Sequence, residues 1–302
     1  MLRKRKGNAQ LYAMLAPNFV LFLIMSVYPI IWAFRYMFFF YDGVISKPVF
    51  IGMNNFIRVF TRDVDFWQSA LNTLVYAGGK IVIVLPLAFI VAVILNKKTR
   101  YSGTLQAIIF SPTILSAAVM SLVFYLLFNA YNGDINRALK SAGLIHTSVN
   151  WLGAGMAMLT IIIVAVWGGL GNYMVYFLAG LQQVPTELYE SSELDGANVL
   201  QKNWYITLPM LGPVLKIIIM LAIINAFQDI QSIMVLTGGG PFNKTMVMTL
   251  YIYQLFFPIN ADGGGGVGSQ YGYGAAVSIV AAVICGIITV IYLRMSRRMD
   301  DI

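Results

Sequence analysis

Six apolar stretches of membrane length constrain this chain more than anything else in it. They lie near residues 11–38, 71–95, 105–128, 157–181, 211–235 and 274–293, and a helix needs roughly 20 apolar residues to cross the hydrocarbon core. A backbone in lipid must satisfy its own polar groups, so such stretches fold as helices. Of the 302 residues, 59% are hydrophobic and only 11% charged, about half the charge of an ordinary soluble domain. The expectation is an all-α integral membrane protein with six transmembrane helices.

The net charge of +8 does not point to nucleic acid, because the cations flank apolar spans instead of forming a patch with interleaved aromatics. Arg3 to Lys6 before an apolar segment imitates a secretory signal. That segment runs on to about Phe40 without a small-x-small cleavage pattern, so it reads as an uncleaved first span. With the N-terminus inside, Arg3, Lys4, Arg5, Lys6, Lys97, Lys98, Arg100, Lys202, Arg294, Arg297 and Arg298 are cytoplasmic. Lys47, Arg58, Arg62, Arg137, Lys140 and Lys244 are outside; eleven against six puts both termini in the cytoplasm. The expected organisation is a basic N-terminus (1–10), one transmembrane domain (11–293) and a cytoplasmic tail (294–302). A cytoplasmic loop at about 185–209 joins the fourth and fifth helices, and a long outer segment at about 236–273 joins the fifth and sixth. Within that outer segment Leu236–Pro241 reads as a tight turn, Thr245–Phe257 as a short apolar helix, and Asp262–Gly274 as flexible linker containing the glycine run Gly263–Gly266.

The cytoplasmic loop is a polar, acidic island. Pro185 and Thr186 start a helix, with Thr186 able to cap it and Glu187 in its first turn. Glu187, Glu190 and Glu193 share one face, Gly196 permits a left-handed turn, and a second short helix runs through Trp204 to Pro209. The product is a rigid knob suited to a socket, or else a solvated hairpin between two spans.

Ionisable groups inside spans are costly and point to a cavity or a partner. Arg35 and Lys216 lie near helix ends and can snorkel, whereas Lys80 lies deeper. Asn225, Gln228, Asp229 and Ser232 follow helical spacing and make one polar stripe on the fifth helix. That stripe either bonds to a neighbouring helix or walls a cavity between helices, with Trp167, Tyr173 and Tyr176 on the fourth helix as aromatic faces beside it. The lone His146 and lone Cys285 suggest neither a metal site nor a disulfide. No G-x-x-x-x-G-K-[ST] occurs, since Gly78-Gly79-Lys80 is followed by Ile81, so the chain carries no nucleotide cradle. Nothing resembles a catalytic constellation, and the chain is expected not to be an enzyme.

Glu190-Ser-Ser with Asp195-Gly196-Ala197 and Ile206-Thr-Leu208-Pro209 resembles the "EAA" loop of ABC importer permeases, which reads E-A-A, then G, then I-x-L-P. Serines replace the alanines, and Asn203 stands where an aromatic is usual, with Trp204 beside it. Leu236-Thr-Gly-Gly-Gly-Pro241 with Thr245 and Tyr253, and the Asn72-Thr73 pair, are similar to the same regions of maltose-type and multiple-sugar importers. The resemblance implies a permease subunit in a prokaryotic cell membrane. Its implied partners are a second homologous permease, two ATPase subunits that bind ATP and Mg, and an external solute-binding protein. The substrate would be a carbohydrate, an oligosaccharide before a simple sugar; another polyol or a glycerol phosphate ester is the alternative. Glu187, Glu190, Glu193 and Asp195 would contact the ATPase, Gly196 would set the bend, and Ala197, Ile206, Leu208 and Pro209 would pack the loop. An ion-coupled secondary transporter, with Lys80 and Asp229 as ion sites, is the rival of a different class.

Overall fold

The computed structural model describes residues 2–43, 47–97, 100–258 and 268–296, with side chains from residue 12 onward. Gly263–Gly266, Lys98, Arg297 and Arg298 lie outside the described residues, as do the side chains of Arg3, Lys4, Arg5 and Lys6. Among the described residues, four helical stretches are long and apolar enough to cross a membrane: Tyr12–Phe38, Val64–Asn96, Ala157–Leu181 and Tyr271–Ser296. Two further pairs meet the same test but are bent, Ser102–Ile114 with Ala117–Leu127 by 94° and Val199–Met210 with Gly212–Gln228 by 76°. Counting each bent pair as one span gives six. This is a multi-pass membrane protein, and its described residues are all-α except for a two-residue strand pair, Phe39–Phe40 with Val49–Phe50. The chain divides into two compact units, residues 64–251 with 282–302 and residues 1–63 with 252–281.

The larger unit is built on the Val64–Asn96 and Ala157–Leu181 helices, which pack along each other. Tyr76, Val84 and Ala88 meet Ile161, Val164, Met174 and Phe177 in its core. Lipid is as apolar as these side chains, so close fit and interhelical hydrogen bonds hold the pair together more than expulsion from water. Gly171 shows how close the fit is: a Cβ there would lie 2.8 Å from both the Ile109 carbonyl oxygen and the Phe110 Cα.

The continuous helix expected over 105–128 is broken. Ser102–Phe110 tightens into a 3-10 turn at Ser111–Ile114, and a new helix starts at Ala117 with Ser116 as its cap, Val119 N–H donating to Ser116 Oγ at 3.3 Å. Pro112 removes a donor from the ladder, and a capping serine behind it supplies the restart. The continuous helix expected over 211–235 is broken too. Gly212–Gln228 ends with Asp229 in an extended conformation (φ −69°, ψ 111°), and a separate helix covers Gln231–Leu236. Asn225, Gln228, Asp229 and Ser232 therefore do not form one helical stripe.

The Leu236–Pro241 turn forms as expected, with Gly238 and Gly239 at φ +61° and +88°. Thr237 and Thr245 share a 2.7 Å hydroxyl hydrogen bond across it. Asn72 and Thr73 hold this loop. Asn72 Nδ2 donates to the carbonyls of Asn243 at 2.8 Å and Met246 at 2.9 Å, and Met248 N–H donates to Thr73 Oγ1 at 2.9 Å. The short apolar helix that follows spans Met248–Phe256.

In the smaller unit, the Tyr12–Phe38 stretch contains a π-turn at Leu23–Val27, and none of its apolar window is buried. Pro29 would press on the carbonyl four residues back, and the widened turn relieves that clash. Arg35 stacks on Trp32 and Tyr36, its guanidinium 4.4 and 5.0 Å from the ring centres. Arg58, on the Asn54–Thr61 helix, lies 3.9 Å over the Tyr273 ring and donates to Gln270 at 2.8 Å, while the Tyr273 hydroxyl donates to Asp63. The last long helix begins at Tyr271, so the flexible linker expected to reach Gly274 stops short of its first turn.

Candidate functional sites: a knobbed loop and a cavity at two helix breaks

The segment from Pro185 to Met210 forms a short, internally braced element. Its first helix is Thr186–Leu194, with Glu187 in the first turn; Thr186 does not cap it, because Pro185 takes the cap position and no side chain bonds there. Gly196 adopts φ +76°, a left-handed conformation that costs an L side chain about 1 kcal/mol or more. The chain then re-enters helix through a capping box: Gln201 N–H donates to Asn198 Oδ1 at 2.9 Å, and Asn198 N–H donates to Gln201 Oε1 at 2.8 Å. Lys202 Nζ reaches back 2.7 Å to Glu193, whose carboxyl is held below its usual range by that hydrogen bond and charge. Tyr189 and Thr207 hydroxyls share a 3.0 Å hydrogen bond. A second π-turn, Asn203–Thr207, precedes Pro209, for the reason that holds at Pro29.

Glu187, Glu190, Glu193, Asp195, Gly196 and Pro209 are exposed, whereas Ala197, Ile206 and Leu208 are half-buried. The acidic face is only part of what the loop presents. Leu194 is 90% exposed, Leu200 80%, Tyr205 74% and Trp204 69%, and Val199 joins them. A cluster of bare aromatic and aliphatic groups on a braced scaffold is what a docking surface carries. The sequence reading weighted the carboxylates and passed over these residues, although Val199-Leu200 and Trp204-Tyr205 stand out as apolar pairs in a polar loop.

The second site lies where the two broken helices meet the core of the larger unit. An open cavity of about 210 Å³ is lined by Lys80, Thr113, Asn172, Asp229 and Ser232, with Pro112, Met120, Gly168 and Gly169 among its apolar walls. Lys80 is 8% exposed. Its Nζ lies 3.1 Å from Asp229 Oδ2, and the Tyr76 hydroxyl donates to the same oxygen. This pairing explains the break after Gln228: an extended residue lets Asp229 leave the helix and meet a buried cation, which lipid would otherwise penalise by several kcal/mol. Of the residues read as a stripe, the cavity brings together Asp229 and Ser232, with Lys80 from another helix. Asn225 and Gln228 are exposed and lie outside its lining, as do Trp167, Tyr173 and Tyr176. Tyr173 is buried and engages the Asn225 side chain, and Trp167 packs edge-on against Phe124 at 5.0 Å. Thr113 and Asn172 were not foreseen; Pro112 within an apolar run is the signal that could have found the first.

Residues 84–301 match the model of the family described as binding-protein-dependent transport system inner membrane component. The chain belongs to this family. The permease is 30% identical to a probable ABC transporter permease protein of Bacillus subtilis, over 97% of its own length and 92% of the relative's. It is also 30% identical to the arabinooligosaccharides transport system permease protein of Bacillus subtilis (94% and 88% covered). The trehalose/maltose transport system permease protein of Thermococcus litoralis is 30% identical as well, with 96% and 94% covered. A solved bacterial ABC transporter involved in import of the acidic polysaccharide alginate contains a chain of the same fold, with TM-score 0.81, 24% identity and 98% of each chain covered. Membership makes the permease a transport subunit of an ABC system and not a catalytic chain.

Proposed function

We propose that the permease forms half of the translocation pore of an ATP-driven, binding-protein-dependent carbohydrate importer, and that its substrate is an oligosaccharide. The relatives named for arabinooligosaccharides and for trehalose and maltose support the substrate class. In this reading residues 1–10 and 294–302 are cytoplasmic, and residues 11–293 form the pore domain with its 185–209 loop facing the ATPases. The second pore half is another permease; two ATP-binding subunits dock below, and an extracytoplasmic binding protein delivers solute above. ATP and Mg belong to the docked subunits.

The observation that carries this reading is the braced loop with its exposed apolar cluster. Closure of the ATPases pushes a rigid element, and a rigid element transmits displacement where a floppy one would absorb it. Coupling is then a difference in contact energy between two global states. Glu187, Glu190 and Asp195 form the polar rim of the contact, Gly196 sets the turn, half-buried Ala197, Ile206 and Leu208 seat the loop against its own spans, and Pro209 ends it. Lys80, Asp229 and Ser232, joined by Asn172 and Thr113, offer hydroxyl-directed hydrogen bonds along the path. Asn225, Gln228, Trp167 and Tyr176 extend it, with Tyr173 supporting Asn225 from behind.

The test is purification of the permease from its native membrane in mild detergent, with Gly196→Pro alongside. Recovery of an ATPase and a second multi-span permease, with only the ATPase lost from the variant, is the expected result. A chain recovered alone that transports in vesicles without ATP would overturn the reading in favour of ion coupling at Lys80 and Asp229.

A further inference from the structure

Among the described residues, Lys80 and Asp229 are the only ionisable ones lining the 210 Å³ cavity, and they lie 3.1 Å apart. Both the Lys80 ammonium and the Tyr76 hydroxyl bond to Asp229 Oδ2, so Oδ1 has no hydrogen-bond partner among the described residues. Lys80 likewise has donor capacity beyond its one bond to Asp229. The cavity therefore presents one full charge of each sign, close enough to cancel at a distance, together with free hydrogen-bonding capacity for hydroxyls.

We infer that the Lys80–Asp229 pair sets the charge selectivity of the path, admitting neutral oligosaccharides because each charge cancels the other's field. The inference rests on the carbohydrate reading above and adds a specificity role to it. A charge in a site of low polarity acts on a passing ion far more strongly than it would in water. If Asp229 loses its charge, Lys80 faces the path as an uncompensated cation and favours sugars bearing carboxylates. If Lys80 loses its charge, Asp229 remains and favours aminated sugars. An ion pair that only ties the Val64–Asn96 helix to the break after Gln228 would behave differently. Cutting such a tie lowers stability in both variants and leaves the order of preference among sugars unchanged.

The experiment uses the assembled complex of both permeases and ATPases, purified without the binding protein so that delivery does not impose its own selectivity. Binding is measured at low ionic strength for three tetrasaccharides: one of glucose, one of galacturonic acid and one of glucosamine. The wild type is expected to prefer the neutral sugar. Asp229→Asn should shift the acidic-to-neutral affinity ratio upward by about tenfold or more, and Lys80→Gln should shift the aminated-to-neutral ratio upward similarly. Either variant binding the neutral sugar with both ratios unchanged overturns the inference while leaving the carbohydrate reading in place. A wild-type complex that binds none of the three overturns both.

Discussion

Asn72 satisfies its whole amide in one place. Its Nδ2 serves the carbonyls of Asn243 and Met246, and its Oδ1 accepts from Gln68 at 3.1 Å. Replacing it by Leu would leave the Met246 carbonyl without its donor, while the Asn243 carbonyl keeps the Met246 N–H at 3.2 Å, and an orphaned buried group costs about 1–3 kcal/mol. Asn72→Leu is expected to lower the unfolding midpoint in detergent by several degrees, read by thermal denaturation, and Asn72→Gln to restore little because its amide is displaced by a methylene. The Asn-Thr pair was visible in the sequence, but its partners stand over 170 residues away, beyond the reach of any local pattern. The acidic row Glu187, Glu190, Glu193 and the left-handed Gly196 were legible because their causes are local. Asp229 was misread for the opposite reason. Helical spacing assigns it a face, whereas a distant Lys80 takes it out of the helix.

Proline marks the helices that bend or widen: Pro29 and Pro209 follow π-turns, and Pro112 lies in the 3-10 turn of a 94° bend. Hydropathy alone reported these spans as uniform, since a window average does not see where a ladder loses a donor. The bent segment needs room on the helix it rests against, and Gly171 supplies it. Gly171→Ala places a Cβ 2.8 Å from backbone atoms that have no side-chain freedom to move aside. Overpacking of that kind costs about 1–3 kcal/mol, and the same thermal assay should register it, while Gly78→Ala, with nothing within 4 Å of the added carbon, should be silent there. A substitution at Gly171 without effect would mean that the two elements do not touch in the assembled protein.

For the whole molecule, the charge asymmetry makes a directional statement that labelling can check. Cys285 is the sole cysteine, so Cys285→Ala provides a background for single reporters. A cysteine at Glu190 should react with a membrane-impermeant maleimide only from the cytoplasmic side, and one at Lys244 only from outside; the reverse pattern would invert the proposed topology. The placement of the four long spans was legible from the sequence, because membrane thickness dictates their length. The breaks were not, because they depend on which polar groups meet across the bundle. Those breaks also bear on biogenesis. Ser102–Phe110 and Ala117–Leu127 are each too short to cross a bilayer alone, and backbone groups freed between them find no partner in hydrocarbon. Such a segment does not partition into lipid as a finished rod. It packs against the Ala157–Leu181 helix, so its stable insertion is expected only once that later helix has been synthesised, and truncating the chain before residue 157 should leave the bent segment extractable from the membrane.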